Sequence, residues 1–180
     1  ARIITGRVRE SKIPYFIPVI GSMFLSYMII NIFIMTVIIQ VEPWYMPVYF
    51  IPIGGMIIGN SMNALSISID NWFEGIKKDR FKIEQYLALG GTPSESTAIN
   101  FREALRAGMI PSINAMMSVG IVSIPGMMTG QMLAGIDPMI AIKYQIVIML
   151  LLVGSTAFSA ILALHIVRQL SFTAYHQIKL

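Results

Sequence analysis

Residues 144–167 read YQIVIMLLLVGSTAFSAILALHIV, without a single Lys, Arg, Asp or Glu. That run is longer than the roughly 20 residues a helix needs to cross about 30 Å of hydrocarbon. Three more uncharged stretches of spanning length precede it: Tyr15 to Val41, Trp44 to Ile69 and Ala107 to Ile136. Lipid offers the backbone no hydrogen bonds, so each is expected to be helical wherever it meets lipid. The expected fold class is therefore all-α, a polytopic helical membrane protein with four transmembrane segments. Apolar residues make up 56% of the 180 positions and arrive in blocks, not with amphipathic spacing, which sets a water-soluble domain aside.

The basic residues set the orientation. Arg2, Arg7, Arg9 and Lys12, then Lys77, Lys78, Arg80, Lys82, Arg102 and Arg106, then Arg168 and Lys179 fall on one side of the four stretches, and Lys143 alone falls on the other. The positive-inside rule then puts both termini of the chain in the cytoplasm and the protein in the cell membrane, plasma or inner. The expected organisation is a cytoplasmic segment over 1–14, membrane helices one and two over 15–69, a cytoplasmic coupling hairpin over 70–106, membrane helices three and four over 107–167, and a cytoplasmic tail over 168–180. The net charge of +4 does not indicate nucleic acid, because Asp70 to Arg106 holds as many acidic as basic residues. The surplus suits topology and anionic headgroups, so the lipid membrane is a partner. The absence of Cys excludes disulfides and thiolate chemistry. The chain opens on Ala1 with a polar, Arg-rich stretch that lacks the apolar core of a signal peptide.

Trp44, Tyr45, Tyr49 and Phe50 form an aromatic belt, and the short turn around Glu42 and Pro43 makes spans one and two antiparallel neighbours. Pro47 and Pro52 suggest that the regular part of span two begins near Pro52. Gly55 and Gly59 give that span a GxxxG face, and Ser155, Ser159 and Ala163 repeat small-residue spacing on span four, both suited to helix packing.

From Ser66 to Leu89 no Pro interrupts a helical pattern, and Glu74 with Lys78 is spaced for an i,i+4 pair. Gly90-Gly91 is a C-terminal glycine signal. Thr92-Pro93-Ser94-Glu95 reads as a capping box with Pro at the first helical position, opening a second helix through Arg106. The pair makes a hairpin protruding some 30 Å. Within it, Glu84 and Gly90 keep the separation of the EAAxxxG loop through which many ABC permeases dock on their ATPase, with both alanines replaced.

Span three is too long for one crossing, roughly 45 Å against about 30 Å. Pro125-Gly126 interrupts it, and Met127, Met128, Thr129, Gly130 and Gln131 follow. Broken backbone at membrane depth is tolerated only inside protein or beside a water-filled cavity, so Pro125 to Gln131 is expected at a gate or translocation path. Among the membrane-embedded polar residues Asn31, Asn60, Asn63, Asn114, Thr129, Gln131 and Gln145, interhelical hydrogen bonding is the ordinary use. Asn60 and Asn63, an i,i+3 pair, together with Gln131, are taken as cavity lining.

The chain resembles the FetB-type ABC permeases of the UPF0014 family, linked to bacterial iron export, whose plant relatives are aluminium-sensitivity proteins. The resemblance is carried by Ile51-Pro52-Ile53-Gly54-Gly55-Met56-Ile57-Ile58-Gly59-Asn60-Ser61-Met62-Asn63, by Ala88-Leu89-Gly90-Gly91-Thr92-Pro93, by Arg106-Ala107-Gly108-Met109-Ile110-Pro111, and above all by Pro125 to Gly135 followed by Tyr144-Gln145-Ile146. It implies the permease half of an ABC exporter, working as a homodimer with two copies of a separate ATPase, and further spans ahead of Ala1. By the same analogy, Glu84, Gly90, Gly91, Thr92, Pro93 and Glu95 fall to the ATPase-coupling hairpin. Independently, the chain has no GxxxxGK[ST] loop to cradle phosphates. It is expected not to be an enzyme and to bind no cofactor itself, with ATP and Mg on the partner ATPase.

The substrate expected is iron or another metal species. The alternatives are a small organic solute such as a nucleotide sugar, or a non-transporting membrane scaffold that anchors a partner. The Met residues, notably Met116, Met117, Met127, Met128 and Met132, would suit Cu(I) better than iron and are more ordinary as apolar filler. His165 and His176 have no carboxylate nearby in sequence and read as boundary residues, and no HExxH or Gly-x-Ser-x-Gly pattern supports a hydrolase.

Overall fold

The computed structural model describes residues 16–39, 43, 45, 47–120 and 124–172. Residues 1–15, most of the turn around Glu42, and the tail beyond Phe172, including His176 and Lys179, lie outside them.

Every element among the described residues is a helix. α1 (Phe16–Phe33) continues into a π-helical turn (Ile34–Ile39). It carries no charged side chain, and Ser22 and Ser26 donate to the carbonyls of Val19 and Ser22 at 2.8 and 2.7 Å, so their hydroxyls are satisfied within the helix. α2 (Pro47–Lys78) is a single long helix. α3 (Arg80–Ala88), the one-turn α4 (Pro93–Ser96), α5 (Ala98–Ser118) and α6 (Gly126–Leu133) follow. α7 (Pro138–Leu170) starts where the Asp137 carboxylate accepts from the Met139 N–H at 2.8 Å, with Pro138 at the first position.

α7 is the hub and touches α1, α2, α5 and α6. Ser61 donates to Ser159 at 3.2 Å and Trp72 Nε1 to Ser171 Oγ at 3.4 Å, so α2 and α7 run parallel. α5 runs antiparallel to α2, in close approach at two notches. A Cβ on Gly108 would lie 2.6 Å from the Ala64 carbonyl oxygen, and one on Gly75 3.0 Å from Asn100 Nδ2. These contacts enclose a core at the charged end, built from Leu65, Ile69, Trp72, Phe73, Ile76, Ile83, Ala104, Ala163, Leu164 and Val167 together with Val19. A smaller core at the other end joins Ile34 and Met35 to Ile53, Ile57, Ile148 and Leu152.

Several boundaries differ from those expected. Pro52 lies inside α2, which starts at Pro47. It stands one turn in from the helix start, where it removes the i→i−4 bond to the Val48 carbonyl and leaves the helix continuous. α2 also runs past Ile69 as one rod to Lys78, so span and hairpin share a helix. The hairpin arm then breaks at Asp79, whose carboxylate accepts from Lys82 Nζ and from Asn100 Nδ2, each at 3.0 Å. Lys78 sits at this break, and Glu74 forms no ion pair with it. The return helix expected from Pro93 splits at Thr97 into α4 and α5, and α5 then runs through Arg106, with Pro111 in its interior, to Ser118. The break expected at Pro125-Gly126 within Ala107 to Ile136 opens earlier: α5 ends before an extended Val119 and a left-handed Gly120, and α6 begins at Gly126. Among the described residues three helical regions are long and apolar enough to cross a membrane: Val19–Ile38, Phe50–Lys78 and Pro138–Leu170.

Candidate functional site

Two regions carry the candidate chemistry, one at each end of the bundle. At the charged end, α3 closes in a Schellman turn: the Gly91 N–H bonds to the Tyr86 carbonyl and the Gly90 N–H to that of Leu87, both at 3.1 Å. Gly90 has φ of 90°, which only a residue without Cβ adopts without strain. A Cβ on Gly91 would run into the Tyr86 ring. Thr92 then forms a full capping box. The Glu95 N–H donates to Thr92 Oγ1 at 3.3 Å, while the Thr92 N–H and hydroxyl both donate to Glu95 Oε2, at 3.0 and 2.7 Å. The Thr92 hydroxyl, then its N–H, hold the Glu95 carboxyl below the usual range. Asp79 is lowered likewise, first by Lys82 and then by Asn100.

This fixed turn displays apolar side chains to solvent. Leu89 is 88% exposed, and Phe81, Tyr86 and Ile99 are exposed beside it. Glu84 is exposed and pairs with Arg80 Nε at 2.8 Å. Ile83 and Leu87 on the opposite side of α3 pack into the core. The hairpin is therefore anchored on one side and apolar on the other.

At the far end, α1, α2, α6 and α7 surround a cavity of about 600 Å³. The π-helical turn supplies Ile34 and Ile38, α2 Ile53, α6 Met127 and Gln131, and α7 Lys143, Tyr144 and Ile148. Gln131 Oε1 is buried with no hydrogen-bond partner, as is Gln145 Oε1. Pro125 precedes α6 in extended conformation, and Thr129 donates back to its carbonyl at 3.2 Å. Met128 is half-buried, and Gly126 and Gly130 face open space. Asn60 and Asn63 do not join Gln131: both are exposed on α2, and Asn60 Nδ2 donates to the Met56 carbonyl of its own helix at 3.1 Å. Gly55 and Gly59 share that open face, with nothing near them. The close approach of α1 to α2 falls at Gly54, against Tyr27 and Asn31. Ser155, Ser159 and Ala163 are buried where α7 packs.

Asn31, like Asn114 and Gln145, is a polar residue that sequence reasoning left outside the candidate path. Its side chain is fully buried, and neither amide atom has a partner. The available signal was an amide in the middle of an uncharged run. Among the described residues, no three His, Asp or Glu side chains gather into a metal site.

The description "Uncharacterised protein family (UPF0014)" matches residues 1–172. The chain belongs to the UPF0014 family. It is 43% identical over 144 residues to the UPF0014 membrane protein slr1647 of Synechocystis, covering 80% of this chain and 56% of that one. It is 38% identical over 134 residues to the probable iron export permease protein FetB of Escherichia coli, covering 74% and 52%. With the protein ALUMINUM SENSITIVE 3 of Arabidopsis thaliana it shares 33% over 175 residues, covering 97% and 63%. The chain thus spans about half the length of the first two relatives and somewhat more of the third. No solved structure matches it. Family and apolar helices together make this a multi-pass membrane protein of the UPF0014 family.

Proposed function

We propose that this chain is permease material of an ABC-type exporter: it moves iron or another metal species through the membrane and is driven by a separate ATPase docked on the hairpin. The observation that carries the reading is the hairpin itself. A turn that only connected two spans would not need Phe81, Tyr86, Leu89 and Ile99 all turned outward on it. Exposed apolar clusters rimmed by charge mark protein contacts. With α3 bound to the core through Ile83, a push on the hairpin reaches α2 and α5 directly. In this reading both termini are cytoplasmic, α5 and α6 with the residues between them make the fourth crossing, and two copies pair. The name of the E. coli relative supports iron as the cargo.

The test is copurification of the ATPase with Leu89→Glu and Phe81→Glu, two surface changes that leave the core intact. ATPase binding is expected to fall while expression persists; normal copurification would remove the hairpin from coupling. ATP hydrolysis by the reconstituted complex should rise with iron salts, and a rise with nucleotide sugars alone would change the cargo and leave the permease role. Cys labels at Ser94 and Leu133, in a chain with no native Cys, are expected to react from the cytoplasmic and outer sides.

A further inference from the structure

We infer that the cavity at the far end is a binding site for an anionic phospholipid with a hydroxylated headgroup, of the phosphatidylglycerol class. Its acyl chain lies along Ile34, Ile53 and Ile148, and its phosphate meets Lys143.

Lys143 is a charge that topology does not explain: among the described residues it is the one Lys or Arg at this end. It lies in α7 about 8 Å along the helix from Pro138, within reach of the hydrocarbon boundary. Lys143 is exposed, and a long basic side chain near a helix end reaches the interface, so its ammonium lies at headgroup depth. Among the described residues it has no ion pair. Asp137, the acid closest in sequence, is occupied at the helix start, where it accepts from the Met139 N–H at 2.8 Å. No acidic residue lines the cavity. No described acidic residue at this end is left to pair with it, and a lipid phosphate takes that place.

The cavity says what else that anion carries. Its volume of about 600 Å³ is that of a small-molecule site, and most of its walls are aliphatic, with Gln131, Lys143 and Tyr144 the polar exceptions. That asymmetry matches an amphiphile with one charged end. Gln131 Oε1, buried and unpartnered, offers an acceptor that a phosphate cannot satisfy and a headgroup hydroxyl can. The rim is also apolar: Ile140 and Val147 line the opening and are exposed, so the mouth faces a lipid phase better than water. The π-helical turn places Ile34 and Ile38 on the wall, and such turns recur at functional sites. Nothing here depends on what the protein transports.

The full chain, reconstituted into nanodiscs of phosphatidylglycerol and phosphatidylcholine in equal amounts, would be released into native mass spectrometry to count retained lipids. Phosphatidylglycerol is expected to be retained over phosphatidylcholine, and Lys143→Gln to cut that preference roughly fivefold, the scale of one basic residue at a charged lipid surface. Val147→Trp, which fills the rim from an exposed position, should abolish retention of both lipids at this site. Lys82→Gln, at the hairpin, should change nothing. Equal retention of the two lipids, or retention unaltered by both Lys143→Gln and Val147→Trp, would overturn the inference. Displacement by soluble glycerol phosphate as readily as by lipid would also overturn it, because the site would then recognise the anion alone.

Discussion

Along α2, the residues from Ala64 to Ile76 are clasped by α5 and α7, whereas those from Ile51 to Asn63 leave Gly55, Gly59, Asn60 and Asn63 open and border a cavity. The clasped half is notched at Gly75 and Gly108, buries an unpartnered Ser68 hydroxyl, and is centred on a fully buried Trp72 whose indole also meets Phe101 edge-on. The open half holds a fully buried, unpartnered Asn31 and side chains with room to move. One helix thus joins a rigid end to a deformable one. A rigid end transmits displacement without absorbing it, because close-packed interiors have two arrangements or one, not a continuum.

The largest expected effect sharpens this contrast by cutting into both cores. Trp72→Ala should destabilise the purified protein by about 3–5 kcal/mol, while Ile148→Ala, beside the cavity, should sit near the low end of about 2–5 kcal/mol. Thermal melting in detergent measures both, and equal losses would break the division into a tight and a loose end. Overpacking makes the next test. Gly108→Leu drives a side chain into Ala64 and Ser68 and is expected to cost about 1–3 kcal/mol or more. Gly59→Leu meets nothing within this chain and should stay within about 0.5 kcal/mol. A Gly59→Leu protein that melts normally yet elutes as a smaller particle would place the second copy on the open face.

These predictions rest on contacts that the sequence reveals unevenly. The hairpin turn was legible because its chemistry is local: Gly90-Gly91 and Thr92-Pro93 through Glu95 fix their own geometry within a few residues. The membrane helices were legible from composition, since an uncharged run in lipid has no alternative to helix. The break at Asp79 was not, because it is held by Asn100 from twenty-one residues away. Helix ends escaped for the same reason. Nothing local stops α2 at Ile69 or α5 at Arg106, and both continue because each packs on the other. Small-residue spacing says that a helix can be approached closely but not by which neighbour. Gly54 and Gly108 take that role within the chain, and Gly55 and Gly59 do not. For the candidate site, Gln131 and Met127 were marked by their place after Pro125, whereas Asn31 acquires its meaning only from the burial around it.

A smaller effect separates the hairpin from the bundle it packs on. Gly90→Val places a β-branched residue at φ of 90° and is expected to cost about 1–2 kcal/mol, confined to the turn. Melting of the membrane helices should not follow it. Hydrogen exchange over α3 and α4 should quicken, with α7 unchanged; quickening in α7 as well would show that the two regions form one cooperative unit.

The smallest effect is a titration, and its sign is fixed by the capping box. The Glu95 carboxyl lies below its ordinary value of 4.5 because the Thr92 hydroxyl and N–H donate to its ionised form. A depressed folded value means that the stabilisation is complete above the unfolded value and disappears as pH falls through the folded one. Asp79 acts in the same sense below its ordinary 3.8, through Lys82 and Asn100. Both carboxylates hold the hairpin and neither touches the far end, so acid should loosen the hairpin first. A fluorophore on Ser94→Cys would report this as a fall in anisotropy between neutral pH and pH below those two values. Glu95→Gln keeps a polar amide at the cap but removes the charge, so its anisotropy should start lower and change less over the same range. A label at Leu133→Cys should hold steady throughout. If the two labels instead respond together, the tight end is titrating the loose one, and the division along α2 is a division of packing only.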